Sequence, residues 1–282
     1  MGAPRERAIA LTIARHRASV SVVAEIMING VRLYVEERGE GDPILGIHGT
    51  GSSAMAWREA AETLSGLGRV IVYDRRGCTR SGRPEPYDRT NVREHAEDAA
   101  ALLRTLDAAP AILIGRSYGG ETAVELALAN PELVRALVLL EAASMALDPE
   151  AQAWERALVA RVEEAAERDP SSVAEVFLRV VLGDEAWEGM PSRARETFTA
   201  NGPAILAELR GGSFSATEED LGRIAVPTLL VAGEDSPEMF GRVTERMAAA
   251  IPGSRLERVS GGHLIDPAGP GVLAFVRSVL GA

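Results

Sequence analysis

The chain has 282 residues, 46% of them hydrophobic, enough to bury the core of one large α/β domain carrying an insertion. Its net charge of −11 argues against nucleic acid or an anionic membrane as a partner, because both demand a basic face. All 30 basic residues are arginine, and without a lysine amine a pyridoxal Schiff base, a Walker-type phosphate loop and a tyrosine–lysine dehydrogenase are out of reach.

Residues 1–24 pair arginines with a short apolar run, Ala8 to Ala14, followed directly by Arg15, His16 and Arg17. A cleavage site should stand there in a targeting signal, so this segment is expected to be a loosely attached extension. No stretch approaches the roughly 20 apolar residues that span a membrane. Cys78 is the single cysteine, so no intrachain disulfide is available and a cytoplasmic location is expected.

"EIMINGVRLYVEE" alternates around Asn29-Gly30 and predicts a β-hairpin. Strands are predicted at Pro43–Gly49 and Arg69–Asp74, with a helix over Ser53–Leu64 between them. Val92, Ala96, Ala99, Leu103 and Leu106 share one face of a helix over Thr90–Leu106. A strand "AILIG", a helix after Ser117 and a strand "RALVLLE" (Arg135–Glu141) follow. The alternation then breaks from Ala142 to about Gly222, a helical, charged block carrying Trp154, Phe177, Trp187, Met190 and Phe198. It resumes with the strand "PTLLVAG", a helix over Pro237–Ala250, the strand "SRLERVS" and a last helix over Val272–Leu280. Alternating strands and helices predict an α/β fold, a mainly parallel sheet covered on both faces. The block from 142 to 222 is then an insertion at the sheet's C-terminal edge, with the core over 25–141 and 223–282.

Gly115-Arg116-Ser117-Tyr118-Gly119 fits G-x-S-x-G between a strand and a helix. The glycines let the two backbones approach, and the strained turn lifts the Ser117 hydroxyl clear of the sheet, making Ser117 the candidate nucleophile. Of four histidines, only His263, in "SGGHLIDP", follows Ser117, as the nucleophile–acid–histidine order requires. The loop His48-Gly49-Thr50-Gly51 is placed to offer the Thr50 N–H, with the Tyr118 N–H, as an oxyanion hole. His48 then reads as a structural hydrogen-bonder. A rival reading takes Gly49-x-Gly51-x-x-Ala54 and Asp74 as a dinucleotide fingerprint, with Arg75 and Arg76 suited to a 2′-phosphate. That alternative is an NADP-dependent oxidoreductase. No His, Cys or carboxylate group has metal-ligand spacing, so no metal is expected.

"HGTGSS", "YDRRGCTRSGRP", "GRSYGG", "VPTLLVAGEDSP" and the terminal "GGH" together resemble, in order, the landmarks of the α/β-hydrolase superfamily from about Glu25 onward. The resemblance implies an α/β-hydrolase fold with a helical cap over 142–222 and a cofactor-free serine esterase or lactonase. Its substrate would be a hydrophobic small-molecule ester or lactone. The family also contains carbon–carbon hydrolases, haloperoxidases and ligand receptors with little turnover, which stay open. Arg116 departs from the histidine or asparagine common at its position. The acid of the triad departs too: the family usually has G-x-x-D-P, whereas Gly233-Glu234-Asp235-Ser236-Pro237 sets Asp235 one residue early. Glu141, at the end of the preceding strand, stands where lactonases similar to the zearalenone hydrolases carry their acid. Glu141 is therefore the expected acid and Asp235 the alternative.

Overall fold

In the computed structural model, which describes residues 10–16, 19–212 and 214–281, the chain opens with strands β1 (Ala10–His16), β2 (Ser19–Ile28) and β3 (Val31–Arg38). Asn29 and Gly30 take φ of 47° and 79°, the two positive values that a type I′ turn needs, and Ile28 pairs with Val31 across it. The described part of residues 1–24 is not the loosely attached extension expected. There β1 pairs antiparallel with β2, from Ala10 opposite Glu25 to His16 opposite Ser19. The alternation Ser19-Val20-Ser21-Val22 is the strand signal that the expectation passed over.

The remaining strands are β4 (Pro43–Ile47), β5 (Arg69–Tyr73), β6 (Ala111–Arg116), β7 (Val134–Leu140), β8 (Thr228–Gly233) and β9 (Arg255–Val259). Their order across the sheet is β1-β2-β3-β5-β4-β6-β7-β8-β9. The first three pairings are antiparallel and those from β5 to β9 are parallel. Strands β4 to β8 are almost unbroken apolar runs because helices cover both faces of a parallel sheet. The chain passes from β5 to β6 across β4. This reversal opens a crevice at the carboxyl ends of β4 and β6, where doubly wound sheets bind ligands.

Helices α1 (Arg58–Leu64), α2 (Val92–Thr105) and α3 (Tyr118–Ala129) connect the first strands. The block between β7 and β8 holds α4 (Pro149–Arg168), α5 (Val173–Leu182), α6 (Asp184–Gly189), α7 (Ser192–Ala200), α8 (Gly202–Gly211) and α9 (Glu218–Leu221). The chain closes with α10 (Glu238–Ala250) and α11 (Pro270–Leu280). Leu64 of α1 and Phe275 of α11 bury one sheet face with Ile112 and Val138. Leu103, Val124 and Phe240, from α2, α3 and α10, bury the other with Leu113 and Leu139, and this second core continues into Phe177 and Ile205 of the helical block. Among the described residues no helix is long and apolar enough to cross a membrane.

Asp148 ties the block to the core. It caps α4 through the N–H groups of Glu150 and Ala151, and it receives the guanidinium groups of Arg242 and Arg246 from α10 at 3.0 Å each. The Ala151 N–H, then Arg242 and Arg246, hold its carboxyl down at about 2. A depressed acid stabilises the fold above its unfolded pKa, and that stabilisation is lost as pH falls from about 4 through about 2. Asp148→Ala is expected to cost about 1–2 kcal/mol at pH 7. The gap to wild type should narrow as pH falls toward 2, measured by denaturant unfolding; a gap independent of pH would refute the role of the charge.

Candidate active site

Ser117 sits between β6 and α3 with φ 54° and ψ −123°, a conformation that costs a non-glycine residue roughly 1–3 kcal/mol. The surroundings impose it. The Ser117 N–H donates to the Leu140 carbonyl at 3.0 Å, and the Ser117 carbonyl accepts the Gly120 N–H at 2.8 Å. A Cβ on Gly119 would stand 2.2 Å from the Ile47 carbonyl oxygen, and one on Gly115 would stand 2.3 Å from that of Gly119. Only glycine lets the helix start this close to the strands. Ser117 lines a pocket of about 40 Å³ with Thr50 and His263, walled by Phe177 and Phe198 of the helical block.

His263 lies in the loop after β9, only 5% exposed, with its ring stacked on Phe240 at 3.9 Å between centroids. Its Nδ1 is 2.6 Å from Glu141 Oε2. Glu141 directly follows β7 at φ 46° and is fully buried. An unpaired carboxylate would be costly there. Besides His263, its Oε1 accepts the Gly233 N–H at 2.7 Å and its Oε2 the Ser236 hydroxyl at 2.9 Å. A carboxylate on Nδ1 keeps the proton on that nitrogen and leaves the Nε2 lone pair free to act as a base. Asp235 is exposed and elsewhere engaged. Its Oδ2 accepts the Gly261 N–H at 3.1 Å and its own N–H donates to the Gly261 carbonyl at 3.0 Å. It braces the histidine loop without reaching the ring. Ser236, at the position where the G-x-x-D-P pattern would set an aspartate, serves Glu141 as a donor, a role that its sequence position alone did not suggest.

Thr50 and Tyr118 both border the turn, and neither backbone N–H is engaged in a hydrogen bond among the described residues. The residue that orients the Thr50 peptide is Arg75, which the dinucleotide pattern pairs with Arg76 for a phosphate. Its Nε donates to the His48 carbonyl at 2.9 Å and its Nη2 to the Gly49 carbonyl at 3.0 Å. Carbonyl and N–H point oppositely across a trans peptide. Holding the Gly49 oxygen on Arg75 therefore turns the Thr50 N–H away from the guanidinium. Glu208 of α8, 2.9 Å from Arg75 and buried with it, keeps that guanidinium charged. Burial pushes the Glu208 carboxyl up, and Arg75 pulls it back. His48 donates from Nδ1 to the Gly49 carbonyl at 2.8 Å and accepts the Arg75 N–H at Nε2, 2.9 Å away. Burial, then Arg75, lower its pKa well below that of a free imidazole, so it stays neutral and structural.

The same bonds remove the dinucleotide reading. Arg75 is committed to Glu208, and Arg76 is bonded to Asp98 at 2.6 Å. Asp74 accepts the Ala54 N–H and pairs with Arg80, both at 2.7 Å. Ile205 of the helical block lies against Gly51, where its Cδ1 would be 2.7 Å from an added Cβ, and Asn201 donates to the Gly51 carbonyl at 2.8 Å. Protein thus fills the place that a pyrophosphate would need. Arg116, the unusual elbow residue, donates from Nη2 to the Ile265 carbonyl, two residues beyond His263, and so ties the elbow to the histidine loop. Burial lowers its pKa to about 10.

Phe177 faces the Ser117 pocket, whereas Trp187 is buried in the helical block beneath the guanidinium of Arg195, 5.8 Å from the ring centroid. Phe177→Ala should therefore reorder substrate preference by acyl size, read as relative kcat/KM over an ester series. Trp187→Ala should instead lose about 3–5 kcal/mol of stability, as large core truncations do. Exchanged outcomes would reverse which residue faces the substrate.

A family model described as the alpha/beta hydrolase fold matches residues 42–187. A relative from Azorhizobium caulinodans, provisionally named a carbamate hydrolase, is 32% identical over 260 residues, covering 88% of this chain and 94% of its own. Among solved structures, a thermophilic esterase from Thermogutta terrifontis superposes with a TM-score of 0.74 at 24% identity, over 91% of this chain and 98% of its own. An enol-lactonase from Burkholderia xenovorans does so with a TM-score of 0.71 at 23% identity, over 91% and 98%. At these identities the two structural likenesses speak for the fold.

Proposed function

Because the chain belongs to the alpha/beta hydrolase fold family, we propose that it hydrolyses the ester or lactone bond of a hydrophobic small molecule through an acyl-enzyme on Ser117. The observation that carries this reading is the buried Glu141–His263 pair, 2.6 Å apart, whose imidazole lines the same pocket as Ser117. In this reading His263 takes the Ser117 proton as the hydroxyl attacks the carbonyl, and Glu141 stabilises the imidazolium that forms. The N–H groups of Thr50 and Tyr118 hold the tetrahedral oxyanion. His263 then protonates the leaving alcohol, and a water activated by the same ring releases the acid. Residues 142–222 act as a cap whose Phe177 and Phe198 exclude water from the acyl pocket. The carbamate relative widens the set of bonds to test, since a carbamate carbonyl accepts the same attack.

A screen of p-nitrophenyl esters, lactones and aryl carbamates against wild type and Ser117→Ala tests this reading. Steady, Ser117-dependent turnover is the expected result. A single burst followed by silence would mean a ligand receptor of the same fold, and turnover indifferent to Ser117 would overturn the mechanism.

A further inference from the structure

A second cavity, of about 340 Å³, adjoins the candidate oxyanion loop, since Thr50 and Tyr118 line it as well. That volume lies within the range of small-molecule sites. Its remaining walls carry Glu121 from α3, Glu155 and Arg156 from α4, and Glu208 from α8. Glu208 is balanced by Arg75 at 2.9 Å. Arg156 is exposed and donates to Gln152 Oε1 at 2.9 Å. Glu121 is different. It is only 4% exposed, and among the described residues no hydrogen bond or ion pair engages its carboxyl. Tyr118, 7% exposed, also has a buried hydroxyl without a hydrogen-bond partner.

A buried carboxyl and a buried phenol left unbonded are each costly, and native proteins rarely keep them without a purpose. An apolar ligand would leave the Glu121 carboxyl unpaired, and an anion would be set against it. A cation with several N–H donors suits Glu121 in both charge and hydrogen bonding. We propose that this cavity is a subsite for a protonated amine carried by the substrate, so that the substrates are amine-bearing esters or lactones. The proposal rests on the esterase or lactonase reading for its place in catalysis, but the subsite itself is testable without it. Burial, then Glu155 and Glu208, push the Glu121 carboxyl well above its usual range.

The test is calorimetric titration of the whole protein with n-butylammonium chloride and, separately, with 1-butanol at pH 7.5. The ammonium ion is expected to bind at least tenfold more tightly than the alcohol. Glu121→Gln should reduce ammonium affinity at least tenfold. Equal binding of the two probes to wild type overturns the subsite even if the variant fails to fold, and so does ammonium binding that Glu121→Gln leaves unchanged. Ser117-dependent turnover of p-nitrophenyl butyrate is measured alongside. Turnover without ammonium selectivity refutes the subsite alone, and ammonium selectivity without turnover refutes the hydrolase reading alone.

Discussion

Replacing Ser117 by alanine is expected to lower kcat for an activated ester by on the order of 10⁴–10⁶, with the residue of catalysis coming from the oxyanion hole and binding. The loss is chemical rather than structural. Ser117 is held at φ 54° by the Leu140 and Gly120 backbone bonds and by the glycine contacts on either side, and alanine keeps all of these. Its melting temperature should therefore match wild type within a few degrees. Activity above a tenth of wild type would mean that Ser117 is a helix cap at a tight turn and that the reaction runs elsewhere.

Glu141→Gln should cost about 10³–10⁴ in kcat, the loss seen when a triad carboxylate becomes an amide. The amide oxygen still accepts the Gly233 N–H, and the Ser236 hydroxyl can turn to accept from the NH₂ that replaces Oε2, so the strand end keeps its shape. It cannot stabilise the imidazolium, and its NH₂ turned toward His263 would favour the tautomer with the proton on Nε2, where it blocks the base. Asp235→Asn keeps an oxygen for the Gly261 N–H and should change kcat by no more than about threefold, since surface substitutions away from the chemistry are nearly neutral. Paired kcat measurements on the two variants decide the point. If Asp235→Asn were the damaging one, the acid would reach His263 from the loop after β8, and Glu141 would be a buried brace.

The hairpin at Asn29-Gly30, the alternating strands and helices, the helical insertion and the elbow at Ser117 were all legible in the sequence. Each depends on local chemistry. Positive φ at two successive turn residues, apolar runs in doubly covered strands and glycines flanking a nucleophile turn all leave a mark within a few residues of themselves. The strand Ala10–His16 is flanked by arginines in the sequence, which hide the apolar alternation that pairs it with β2.

What only the tertiary structure decided is how distant side chains meet. The sequence by itself narrowed the candidate acid to Glu141 or Asp235, but the choice of Nδ1 partner depends on which strand end lies under the His263 loop. The parallel pairing of β7 with β8 brings Glu141 to Gly233 and Ser236, 92 and 95 residues away in sequence. Arg75 looked like a phosphate ligand because its neighbours fit that motif. Burial against Glu208, from a helix more than a hundred residues later, made it the anchor of the His48 and Gly49 carbonyls instead. Glu121 was one charge in a helical pattern until α4 and α8 closed over it. Local propensity is written in the order of residues, whereas desolvation and pairing of charge depend on what folding brings near.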